Sequence, residues 1–167
     1  AQFSRAIVMP NLNPPITTVD MAISYYNRIL NSVNKKYNFE PLMTLYLTDN
    51  TKPSEIDIVA QTEPIKALKY YPVGATTNSD SGVTDIRKVH LVLESMMKNR
   101  LPLLIHGEVN DTDINIFDRE KVFIERVLIP LVDDFCELKI VLEHISTKEA
   151  VDFVSNTSSN IAATITP

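Results

Sequence analysis

Residues 101–108 read LPLLIHGE and residues 138–145 read LKIVLEHI. Each is a short, almost continuous apolar run, the pattern of a strand buried on both faces, and each carries a histidine near its C-terminal end, His106 and His144. Four runs of the same kind accompany them: RAIVMP from residue 5, LMTLYL from residue 42, ALKYY from residue 67 and IAATITP from residue 161. Between the runs the apolar period becomes helical. Val19, Ile23, Tyr26, Leu30 and Val33 recur at spacings of four and three behind Thr17 and Asp20, which are placed as a capping box. A short helix is expected over residues 54–61, and another over 84–99 with Ile86, Val89, Leu93, Met96 and Met97 inward. Asp118 should cap a long helix carrying Ile124, Val127, Leu128 and Leu131, and a last helix spans 147–154. Six strands alternating with five helices predict an α/β protein with a parallel sheet.

Two architectures fit this alternation, an open doubly wound sheet and part of a (β/α)8 barrel. A complete barrel takes about 250 residues, so 167 residues are roughly three quarters of one, and length alone favours the open sheet. The 44% hydrophobic and 22% charged composition describes one globular unit, residues 1–167. Gly74, Gly82 and Gly107 are the only glycines, too scattered for a dinucleotide fingerprint or a phosphate-cradling loop. A net charge of −5 without a basic cluster argues against nucleic acid. Cys136 is the sole cysteine, and no apolar run nears the ~20 residues that cross a bilayer, so a cytoplasmic protein without membrane contact is expected. The chain begins without methionine and reaches strands almost at once from both ends, as though cut at each.

On adjacent parallel strands, His106 and His144 could converge at one mouth, as a zinc site requires; the alternative is two satisfied core histidines. His90, near the apolar face of a helix, reads as structural. Lys69 stands in the middle of ALKYY. Burial lowers an ammonium pKa toward the neutral amine, which can capture carbon dioxide as an anionic carbamate; the alternative is a lysine that snorkels or pairs with Glu143. Glu108 and Glu143 could orient the histidines or be ordinary charged residues at the mouth. Cys136 has no basic sequence neighbour to activate it. After residue 71, the long polar stretch VGATTNSDSGVT carries two of the glycines, as a lid or binding segment does.

The phrases RAIVMPNLNPP, PLMTLYLTDNT, LKYYPVGATTNSDSGVTDI, LPLLIHGEV, IFDREKVFIERVLIPL, LKIVLEHISTKEAVDFV and IAATITP resemble, in order and along the whole chain, the shorter bacterial-type class of the dihydroorotase family. The resemblance implies a (β/α)8 TIM barrel of the metal-dependent hydrolase type, of which this chain would be strands two to seven, and so reverses the length argument. It implies the zinc-dependent, reversible cyclisation of N-carbamoyl-L-aspartate to dihydroorotate in pyrimidine biosynthesis by a homodimer. Lys69 matches the carboxylated lysine bridging two zinc ions, and His106 and His144 match ligands of the second. Asn11 matches the asparagine on the substrate carboxylate, with His106 also facing substrate, while Thr76 and Thr77 match the tip of a closing loop. The family's first-strand His-x-His pair and arginine, and its eighth-strand aspartate acting as acid and base, have no counterpart here. Activity is therefore expected of the complete chain only. A non-catalytic barrel of this family, acting as an assembly partner, is the alternative; an unrelated open α/β domain would have to fold alone.

Overall fold

A computed structural model describes residues 3–34 and 36–166. Ala1, Gln2, Lys35 and Pro167, the last closing the expected sixth strand, lie outside the described residues. Six strands, β1 (Arg5–Val8), β2 (Glu40–Tyr46), β3 (Ile65–Tyr70), β4 (Leu103–His106), β5 (Ile140–Glu143) and β6 (Ile161–Ala163), form one sheet. All pairs are parallel, and spatial order equals chain order from β1 to β6. A doubly wound sheet reverses its strand order at a switch point. This sheet has no reversal, so it is the wall of an incomplete (β/α)8 barrel, and the open sheet favoured by length is set aside.

The helices are α1 (Val19–Ser32), α2 (Pro53–Ala60), α3 (His90–Lys98), α4 (Arg119–Phe123), α5 (Ile129–Asp134) and α6 (Lys148–Asn156). Their ends refine the expected ones. Thr18, one residue beyond the expected Thr17, caps α1 by accepting the Met21 N–H at 3.4 Å. Ala22 is the buried residue of that helix, and Leu30 turns 37% of its surface to solvent. The expected helix over 84–99 begins as a 3-10 turn, Ile86–Val89, capped by Asp85. Asn115, not Asp118, caps the long segment, whose first turn is 3-10. Between α4 and α5 lies a π turn, Ile124–Leu128, closed by the Ile129 N–H on the Ile124 carbonyl. Pro130 follows directly; with no N–H to give the Arg126 carbonyl, it leaves the preceding turn to widen.

Because strand side chains alternate, the sheet has two chemically distinct faces. Met43, Leu45, Leu68, Tyr70, Leu103, Ile105, Ile140 and Leu142 belong to the main core, together with Val59, Val92, Leu93, Phe123 and Leu128 from the helical layer. Each fully buried Leu or Ile there contributes roughly 2 kcal/mol. The opposite phase carries Thr44, Tyr46, Lys69, Tyr71, His106 and Glu143. Registered partners share a face, so the pairings Tyr46 with Lys69 and His106 with Glu143 put these groups on the barrel's inner side. Among the described residues, no helix is long and apolar enough to cross a membrane.

Candidate metal and substrate site

Lys69 is 1% exposed and donates to the Glu143 carboxylate, two strands away. The pairing named as the alternative for this lysine is therefore present. Burial pushes the Lys69 ammonium pKa below its ordinary value, against the opposing pull of Glu143. Lys69 Nζ also lies 5.1 Å from the centre of the Tyr71 ring, which packs 6.0 Å from the His106 ring.

His106 Nδ1 and His144 Nε2 face each other at 3.0 Å. His144 reaches this position through its backbone. It follows Glu143 directly and would ordinarily point to the opposite face, but φ of +48° turns it inward, and its N–H is held at 2.8 Å by Thr164 Oγ1. Burial, then His144, then Lys69 lower the His106 pKa to about 4, so the ring is neutral at pH 7. Its buried Nε2 has no hydrogen-bond partner, and Glu108 Oε2 stands 3.8 Å away, beyond bonding reach.

These residues fit part of a zinc site. Zinc takes neutral imidazoles at about 2.0–2.1 Å, which sets tetrahedral neighbours roughly 3.3 Å apart, near the observed separation. Lys69, once converted to an anion, would add an oxygen donor beside them. Histidine, cysteine and carboxylates alone do not complete a metal-binding group of three among the described residues.

Residues 72–83 form a loop that closes on itself. The Val73 N–H bonds the Val83 carbonyl, the Val83 N–H bonds Tyr71, and buried Ser79 accepts the Thr76 N–H at 2.9 Å. Gly82 has no room for a Cβ, which would sit 2.5 Å from the Tyr71 carbonyl. The loop tip crosses back over β2 to the end of β1, where Asn11 Nδ2 donates to the Thr77 carbonyl at 3.1 Å and Asn78 Nδ2 to the Asn11 carbonyl at 2.9 Å. Asn11 and Thr77 thus meet, with Thr76 on the inner turn. His90 instead packs edge-on to Phe135 at 5.1 Å, away from the histidine pair, and Cys136 is exposed.

Sequence reasoning missed Tyr46 and Tyr71. Both are buried, stack at 5.0 Å, and flank the lysine and the histidine. Their signal was present, since each has the same strand phase as Lys69.

No protein-family model matches the chain. It is 62% identical over 166 residues to a dihydroorotase of Acaryochloris marina (strain MBIC 11017) and 60% identical over 167 residues to one of Coxiella burnetii (strain RSA 331 / Henzerling II). These alignments take in 99% and 100% of this chain and 48% of each relative, so the chain spans about half the length of the curated relatives it matches. The crystal structure of Campylobacter jejuni dihydroorotase superposes with a TM-score of 0.90 at 38% identity, over 99% of this chain and 47% of that one. Saccharomyces cerevisiae dihydroorotase, crystallised with 5-fluoroorotic acid, gives 0.86 at 35% identity, over 97% and 48%. An L-hydantoinase from Arthrobacter aurescens, 13% identical, shares the fold with a TM-score of 0.74 over 96% of this chain and 39% of its own. In sequence and in fold, along its whole length, this chain corresponds to about half of a dihydroorotase.

Proposed function

We propose that the protein containing this chain is a zinc-dependent dihydroorotase that interconverts N-carbamoyl-L-aspartate and (S)-dihydroorotate in pyrimidine biosynthesis, as a homodimer in the cytoplasm. The observation carrying this reading is the facing pair of imidazoles beside a buried lysine in a chain 62% identical to a dihydroorotase. His106 and His144 would hold one metal through Nδ1 and Nε2, and Lys69, as its carbamate, would bridge two. Bound zinc supplies Lewis acidity toward the carbonyl that is cleaved or formed.

The chain's own groups have separable tasks. Carbamate formation needs the neutral amine: as Lys69 Nζ bonds to the carbon of carbon dioxide, one C=O π pair moves onto oxygen and the nitrogen loses one proton to solvent, leaving the anionic carbamate. Burial favours that amine, and Glu143 must release it first. Asn11 offers its remaining amide hydrogen to the substrate carboxylate, and the tip at Thr76 and Thr77 excludes water from the mouth. The acid-base carboxylate and the remaining ligands of the family are expected from the rest of the protein.

The test uses the full-length protein. Elemental analysis should find zinc, native intact-mass measurement should show a carboxyl increment that Lys69→Ala removes, and dihydroorotate should be hydrolysed. A metal-free, fully active protein would sink the zinc reading. A well-folded, zinc-loaded protein without activity would point to the non-catalytic assembly partner.

A further inference from the structure

We propose that Tyr46 and Asn78 form a latch that registers the 72–83 loop over the site and positions Asn11 for the substrate carboxylate. The proposal rests on the dihydroorotase reading for the identity of that substrate.

Tyr46 is fully buried at the C-terminal end of β2, yet its hydroxyl extends to the loop tip and donates to the Asn78 carbonyl at 3.2 Å. Its ring stacks on Tyr71, which packs against His106. One rigid aromatic pair therefore joins the tip of the loop to a histidine of the candidate metal site. At the other end of the bond, Asn78 has φ of +54°, a left-handed conformation that asparagine tolerates better than most residues. This conformation lets one residue face two ways, its carbonyl toward Tyr46 and its side-chain amide toward the Asn11 carbonyl.

Asn11 completes the arrangement. Its carboxamide carries two N–H groups; one is given to Thr77 on the loop, which leaves the second for a ligand oxygen. The side chain proposed to hold the carboxylate is thus oriented by the closed loop. Loss of the latch removes that orientation before substrate arrives, and the binding-competent fraction falls. Tyr46 and Asn78 are positioning residues, acting through Asn11 and the loop.

The experiment uses the full-length protein with Tyr46→Phe, which deletes one hydroxyl, and Asn78→Gly, which keeps the left-handed backbone accessible while removing the amide. Loss of one such hydrogen bond should raise KM for dihydroorotate about fivefold in each variant, with kcat changing much less. In an Asn11→Ala background the Asn78→Gly effect should shrink toward none, a coupling that general damage would not produce. Hydrogen exchange supplies the arm independent of turnover. Amides of residues 76–83 should exchange about fivefold faster in Tyr46→Phe, while the Leu103 and Ile105 amides of β4 keep wild-type rates. Unchanged loop exchange in Tyr46→Phe, or a KM effect that persists undiminished without Asn11, overturns the latch. Absence of activity in the wild type would overturn the assigned reaction instead, and the exchange result would still decide the latch.

Discussion

Lys69 and Glu143 form a buried ion pair that spans β4, bringing a cation from β3 and a carboxylate from β5 together on the inner side of the barrel wall. Removing one member of such a pair strands the other charge away from water. Glu143→Ala should destabilise the metal-free full-length protein by about 3 kcal/mol. Lys69→Met with Glu143→Leu should recover much of that loss, which denaturant unfolding of the single and double variants would measure.

His106 gives the metal-free protein a defined acid sensitivity. Its folded pKa of about 4 lies below the ordinary 6.5, so between those values the unfolded chain binds a proton that the folded chain does not. Stability therefore falls as pH drops from about 6.5 toward 4 and gains nothing from this residue above 6.5. Urea unfolding at pH 7, 5.5 and 4.5 should show the slope, and His106→Gln should flatten it.

Glu120 ties the helical layer to the site from behind. Buried at the start of α4, it accepts the Thr147 N–H at 2.8 Å and the Ser146 N–H at 3.2 Å, and also takes the Thr147 hydroxyl. These donors sit at the start of α6, immediately after the turn that carries His144. Glu120→Ala leaves them without their acceptor and should cost about 3 kcal/mol by thermal or denaturant unfolding. Glu120→Gln, which keeps an acceptor oxygen, should cost less.

Gly82 is predicted to be intolerant for a steric reason. A methyl group there meets the backbone carbonyls of Tyr71 at 2.5 Å and Ser79 at 2.9 Å, and neither can rotate aside. Gly82→Ala should cost about 2 kcal/mol and raise protease cleavage within residues 72–83, read by mass spectrometry of the fragments.

The alternation of six apolar runs with helical periods was enough to place every strand within a few residues. That the sheet is parallel follows from burial on two faces, which the continuous apolar runs record directly. The order of strands was not legible in the alternation itself: an open sheet and a barrel wall share it, and the pairing of each strand with the next in the chain, β1 through β6, separates them. Residue type and strand position singled out His106, His144 and Lys69. The left-handed backbone at His144, which turns its ring to face His106, leaves no mark in LEHIS. The same holds for capping. Thr17 and Thr18 are chemically equivalent, and a rotation of one residue decides which one meets the Met21 N–H.

The division of β2 to β5, at their C-terminal ends, into an oily phase and a chemical phase makes alignment and reactivity a single property. A slip of one residue in β3 would turn Lys69 toward the helices and Tyr70 toward the mouth, exchanging the roles of neighbours in the sequence KYY. The apolar residues outside the wall resist that slip, because each would lose its place among Val92, Leu93 and Phe123. Selection for a well-filled outer layer thus also maintains the aim of the lysine and histidine side chains, without any contact between the two.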